Sequence, residues 1–243
     1  MAMVSRFSKI KFSFSGLLFF GLLWTHFFMG STASEYCYSN IDSACHAKSY
    51  TISESSDSLD LEDCDAKYGS IDEIQDDFLA YADDQLQTSF EYLLLSAQFN
   101  NYDTNRAGFH KLYRKLSDVA WENALAIIRY INSRGGQLSF ENITNDGKNK
   151  KRSLNFDISE LHSLARVLDS ESRLANEALR LHTLATDHED GAAAHFLEDE
   201  LMRKQSEMIR DLAGYTSDLR KLLRQRDAPL GVYLFDDYLR TSL

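Results

Sequence analysis

The sequence predicts an all-α fold: a four-helix bundle with a long crossover between its second and third helices and a short fifth helix at the C-terminal end. Three observations predict it. Apolar residues recur every three or four positions through four long segments, the spacing that gathers them on one face of a helix. Pro229 is the single proline in 243 residues, so no ring interrupts those segments. The connections between them are unequal, short after the first and long after the second, and connection length decides which helices lie antiparallel as neighbours. With 44% apolar and 26% charged residues, the chain has enough apolar surface for one sizeable core.

Ahead of the bundle, residues 1–33 carry Arg6, Lys9 and Lys11, then an apolar run from Gly16 to Met29, then Ser31, Thr32 and Ala33. A basic start, a short apolar stretch and a small-residue end describe a secretory signal peptide cut after about Ala33. The run falls short of the ~20 residues of a spanning helix, and no later segment is apolar enough to be one, so no membrane is expected for the mature form. Cleavage takes away three basic and no acidic residues, leaving 23 Lys+Arg against 37 Asp+Glu, a formal charge of −14. Such acidity argues against nucleic acid and suits the attraction of cations, though it equally serves solubility.

Residues 34–70 are rich in Ser, Asp and Tyr with little periodicity and read as an extension rather than a packed element. Cys37, Cys45 and Cys64 all lie there. In an oxidising lumen an odd count means one internal bridge plus a thiol that can bond a neighbouring chain. Zinc is the rival reading, but there is no Cys-x-x-Cys spacing.

The first helix is expected over 71–99, from Ile71, Ile74, Phe78, Ala82, Leu86, Phe90, Leu93 and Ala97, with Ser70 and Glu73 as a capping box. The loop NNYDTN is short, so the second helix, 106–133, should return beside it. Leu112, Leu116, Val119, Ala120, Ile127, Ile128 and Ile131 mark its buried face, and Gly135–Gly136 behind Arg134 marks its end. The polar stretch 134–156 has the length of a crossover, since passing a helix of that size spans roughly 39 Å at ~1.5 Å per residue. It holds the sequon Asn142-Ile143-Thr144, open to glycosylation in a secreted chain.

The third helix, 158–186, runs on Leu161, Leu164, Leu168, Ala175, Ala178 and Leu181, and Glu171 falls on the same track. A buried carboxylate needs a partner. Tyr92 and Gln205 are the candidates, unless Glu171 tilts to the edge of the stripe. The fourth helix, 192–226, places His195 and Glu198 one turn apart, an imidazole and a carboxylate able to share a cation or simply a solvated face. After Pro229, GVYLFDDYLRTSL is too short to be stable alone and should pack on something, a neighbouring subunit included.

What the bundle interior lacks also matters. Di-iron bundles use inward carboxylates and Glu-x-x-His pairs, which place an oxygen and a nitrogen ligand one turn apart. Here the comparable inward pair on the second helix is Ala120 and Asn123. A methyl group and a neutral amide supply no charge.

Four runs carry a resemblance: YLLLSAQF at 92–99, NSRGG at 132–136, LHTLATD at 181–187 and APLGVYLFD at 228–236. In this order they resemble ferritin signatures, over residues 71–243. The leader and cysteine-bearing extension are similar to those of secreted ferritins of insects and related arthropods, which mix heavy and light subunits. The resemblance implies that Gln85 stands where ferroxidase heavy chains have a first-helix glutamate, Ala120 where they have the bridging glutamate, and Asn123 where they have a histidine ligand. Tyr92, Glu171 and Gln205 match the family, which leaves Glu171 as the one candidate metal contact inside the bundle. It further implies a three-fold channel at His182 and Glu198, with His195 in place of the channel aspartate and Ala194 in place of the usual cysteine. Of the mineral-facing carboxylates of light chains, Asp118 and Glu122 are present, next to Lys111, Arg114 and Lys115.

These readings together imply a non-enzymatic iron-storage subunit of light-chain type. It would co-assemble with ferroxidase heavy chains in a 24-subunit shell that holds iron as a ferric mineral, in the secretory lumen or outside the cell. The alternatives are a ferroxidase with altered ligands and a secreted helical carrier that forms no cage.

Overall fold

The computed structural model describes residues 65–138 and 159–243, and every helix among the described residues lies in the unit Ala66–Leu243. The signal segment, Cys37, Cys45, Cys64, Asn142 and the crossover from residue 139 onward lie outside the described residues. Within them the helices are α1 (Ile71–Phe99), α2 (Ala107–Ser133), α3 (Glu160–Asp187), α4 (Gly191–Leu197), a π-helical turn (Glu198–Met202), α5 (Arg203–Leu222) and α6 (Ala228–Ser242). There is no strand among the described residues, and no helix long and apolar enough to cross a membrane. α4, the π turn and α5 follow one another without a break and form the fourth rod of the bundle. The expected single helix over 192–226 is therefore corrected twice: one wide turn interrupts it, and it ends at Leu222.

α1 and α2 make the most extensive helix pair. Ser89 Oγ donates to the Ser117 carbonyl at 2.9 Å and Ser117 Oγ donates to the Ser89 carbonyl at 2.8 Å. Two small side chains thus let the backbones approach, and this register sets which face of α1 points inward. The expected track is right at Ile71, Ile74, Phe78 and Ala82, then departs from it: Phe90, Leu93 and Ala97 are exposed, and Gln85, Thr88, Tyr92, Leu95 and Phe99 are buried. Hydropathy alone follows the wrong stripe there because the interior is polar in the middle of the bundle.

The core has two apolar layers. One gathers Ile74, Phe78, Ile127, Ile131, Leu174, Leu181 and Leu197, and the other Phe99, Phe109, Tyr113, Leu164, Val167, Leu212 and Phe235. Between these stretches of each helix fall Gln85, Thr88, Ser89, Ser117, Asn123, Glu171 and Gln205, all buried. The result is a polar belt across the bundle.

The bundle ends are closed by contacts that periodicity does not reveal. Ser70 makes no side-chain cap to α1. Its amide and hydroxyl donate instead to Asp190 Oδ2, at 3.3 and 3.4 Å, which corrects the capping-box expectation. Asp190 caps α4 by accepting from the Ala193 amide at 3.0 Å and also pairs with Arg134 at 2.8 Å. At the other end α6 packs on α2 and α5 of its own chain through Val232, Phe235, Asp236 and Leu239. Its opposite face, with Leu230, Tyr233, Leu234 and Tyr238, is exposed.

Candidate functional site

The polar belt brings together all six interior positions picked out from sequence. α1 supplies Gln85 and Tyr92, two turns apart on one face; α2 supplies Ala120 and Asn123; α3 supplies Glu171; α5 supplies Gln205. All six are buried. Four of them, Tyr92 with Glu171 and Gln85 with Gln205, fall into two hydrogen-bonded groups.

In the first group Tyr92 Oη donates to Glu171 Oε1 at 2.8 Å. Glu171 is 3% exposed, so it does not tilt to the edge of its stripe. Burial pushes its carboxyl up from the usual value, and the Tyr92 hydrogen bond and the nearby Arg173 charge hold it down only in part. Burial likewise raises the Tyr92 phenol, and the Glu171 charge adds to the effect.

The second group centres on Tyr81, which the sequence reading missed. Its hydroxyl accepts from Gln85 Nε2 at 2.9 Å and Gln205 Nε2 at 3.1 Å and donates to the Leu174 carbonyl at 3.2 Å. Gln205 is therefore not the partner of Glu171, and its Oε1 is buried without a hydrogen-bond partner. Tyr81 lies one turn before Gln85 on the same face of α1, a spacing that could have flagged it.

A di-iron centre needs several anionic oxygens and imidazoles around each metal. The belt holds one carboxylate, already bonded to a phenol, and two primary amides committed to a second phenol. Among the described residues no three His, Cys, Asp or Glu side chains converge in a way that could hold a metal ion. This donor set does not fit a pair of irons.

The raised Glu171 carboxyl has a consequence for stability. A carboxyl whose folded value exceeds its unfolded one costs stability when ionised, and the cost fades as pH falls and is gone below the ordinary value of 4.5. Glu171→Gln keeps an acceptor for Tyr92 and removes the charge. Thermal unfolding of the variant should therefore occur at higher temperature than wild type at pH 7, with the gap closing below about pH 4.5. A lower unfolding temperature at pH 7 would mean that a cation satisfies this carboxylate.

Outside the belt, His182 Nε2 and Glu198 Oε1 lie 2.7 Å apart, joining α3 to the π turn. His195 does not share Glu198 and lies 3.3 Å from Asp199 instead. His195 and Asp199 are four residues apart, the ordinary helical spacing, while Glu198 is engaged from α3 by His182. Asp118 is exposed and paired with Arg114 at 2.9 Å. Glu122 is exposed too, and both line an open groove of about 470 Å³ with His110, Lys111 and Lys115. The basic groups there offset the two carboxylates.

Comparison with known proteins agrees with this layout. The ferritin-like domain family matches residues 81–222. The chain is 39% identical over 211 residues to the ferritin light chain of Drosophila melanogaster, covering 85% of this chain and 89% of that one. It is 37% identical over 224 residues to the ferritin light chain of Trichoplusia ni, covering 88% and 94%. The crystal structure of Trichoplusia ni secreted ferritin aligns with a TM-score of 0.72 at 36% identity, over 85% of this chain and 99% of that one.

Proposed function

The chain belongs to the ferritin family, and from that premise we propose that it is the structural, non-ferroxidase subunit of a secreted ferritin shell. The observation that carries this reading is the donor set of the polar belt: Gln85, Ala120 and Asn123 around a lone carboxylate, Glu171. Iron is the cargo here. Its oxidation falls to co-assembled heavy chains, and this subunit contributes wall, channel and stability to the container. The light-chain names of two relatives and the secreted source of the structural neighbour support the assignment.

In this reading residues 1–33 direct export and residues 34–70 carry the cysteines that tie the extension down or link it to a neighbouring chain. The His182–Glu198 pair lines a three-fold channel. His195, where the family's channels carry an aspartate, lies beside Asp199 and leaves that channel with less negative charge to attract cations. The exposed stripe of Leu230, Tyr233, Leu234 and Tyr238 on α6 faces other subunits in the shell.

The test is Fe(II) oxidation by the isolated, assembled subunit. It should show no saturable phase above autoxidation, and addition of heavy chain should restore oxidation. A fast stoichiometric phase that Glu171→Ala abolishes would establish the altered ferroxidase in its place. A monomer or dimer that persists with heavy chain present would establish the carrier.

A further inference from the structure

Tyr81 joins three helices at the level of the polar belt. It stands on α1 and is buried, and its hydroxyl accepts from Gln85 Nε2 of α1 at 2.9 Å and from Gln205 Nε2 of α5 at 3.1 Å. It donates to the Leu174 carbonyl of α3 at 3.2 Å. Two acceptances and one donation exhaust what a phenol oxygen can do, so no lone pair is left over for a metal. Burial, to which the charges of Glu171 and Asp84 add, outweighs the two amide hydrogen bonds and keeps the phenol protonated far above its ordinary range. It therefore does not become an anionic ligand either. Gln205 stays on this hydroxyl although its own Oε1 is buried without a partner.

We propose that the Tyr81 hydroxyl stands where a cation held between positions 85 and 205 would have to sit, and that this occupancy, added to the loss of ligands, closes the belt to metal ions. The inference rests on the non-ferroxidase reading and deepens it. A hard cation bound by side-chain oxygens lies about 2.0–2.6 Å from each of them. The amide groups of Gln85 and Gln205 end 2.9 and 3.1 Å from one and the same oxygen atom. The space within reach of both is thus filled by that oxygen. Both glutamines are buried, and close packing leaves neither of them room to swing to another meeting point. Carboxylates at the two positions would supply charge but not space.

A core tyrosine that only ties helices together makes a different prediction. Removing its hydroxyl would loosen the bundle and leave ion binding as it was; removing a hydroxyl that fills a cation's place makes a site once carboxylates surround it. The experiment titrates the full chain in its assembled form with Tb³⁺ and follows luminescence sensitised by the remaining buried tyrosines, Tyr92 among them. Gln85→Glu combined with Gln205→Glu should bind as many ions per subunit as wild type. Adding Tyr81→Phe to that pair should bring one more ion per subunit, held by the two carboxylates and the Leu174 carbonyl. If the double-carboxylate chain does not assemble, the comparison is made on Gln85→Glu alone, where Tyr81→Phe should again add one ion because Gln205 is then free to turn its oxygen inward. An extra ion in either carboxylate background with Tyr81 in place overturns the proposal. So does the lack of an extra ion once Tyr81→Phe is added. Saturable Fe(II) oxidation by wild type would instead sink the functional reading, and it is measured without any of these variants, so the two failures are told apart.

Discussion

Asp190→Asn should lower the unfolding free energy of the chain by about 3–5 kcal/mol, the usual loss when one partner of a buried ion pair is left alone. Both side chains are 2% exposed. Asp190 accepts from Arg134, from the Ala193 amide at the start of α4 and from Ser70 ahead of α1, so one carboxylate ties three elements together. Arg134 in turn donates to the Tyr68 carbonyl at 2.6 Å and to the Tyr130 hydroxyl, and it stacks 3.8 Å over the Tyr68 ring. Asparagine keeps the cap acceptor but strands the guanidinium in a dry site. Guanidinium-chloride unfolding of the full chain measures the effect, and a loss below about 1 kcal/mol would show that this hub does not hold the bundle end. Arg134→Met combined with Asp190→Ser removes both charges and retains a cap, so it should be more stable than Asp190→Asn alone.

The hub also has a pH signature. Burial pushes the Asp190 carboxyl up, but Arg134 and the amides of Ala193 and Ser70 together outweigh it and hold the group below its usual value. A carboxyl depressed in the folded state contributes stability that is fully present above its unfolded value. That stability is lost as pH falls through the lower folded one. The wild-type advantage over Asp190→Asn should therefore shrink below about pH 3.8.

Gly108→Ala should destabilise the chain by about 1–3 kcal/mol and free α6, against the gain of ~1 kcal/mol that replacing a helical glycine ordinarily brings. Gly108 lies in the first turn of α2. A Cβ there would sit 2.0 Å from the Asp236 carbonyl oxygen and 2.9 Å from its Oδ1. The close approach exists because Asp236 Oδ1 accepts from the Gly108 and Phe109 amides at 2.9 and 3.0 Å, so a residue of α6 caps α2 from outside. Burial raises the Asp236 carboxyl, and those two amides, Arg106 and Arg240 offset only part of the rise. Pushing α6 away uncaps α2 and exposes Val232, Phe235 and Leu239. Hydrogen exchange over residues 228–242 is the direct measurement. The alanine variant should lose protection there while α1 and α3 keep theirs, and full protection of α6 in a variant as stable as wild type would refute the account. Asp236→Ala should cost about 0.5–2 kcal/mol, the range for a lost cap.

Most of the helical architecture was legible in the chain because periodicity and connection length are local properties. α1 begins and ends where the spacing of Ile71 to Phe99 places it, and α2 stops at Ser133, ahead of Arg134 and the positive-φ Gly135. The poverty of the interior in metal donors was legible too, since an amide at Gln85, a methyl at Ala120 and an amide at Asn123 remain so in any packing. Residue type settles which donors exist.

Which donor meets which is a matter of approach between helices, and no spacing rule reaches across 56 or 128 positions. Three-dimensional packing chose Tyr92 over Gln205 for Glu171, joined Arg134 to Asp190, and set Asp236 on the amides of α2. It also turned Phe90 and Leu93 outward through the serine clamp at Ser89 and Ser117, and it brought His182 of α3 onto Glu198. Each outcome depends on backbone separations of a few ångströms between distant segments. Those separations come from the whole core packing at once, so they appear only when the chain is folded.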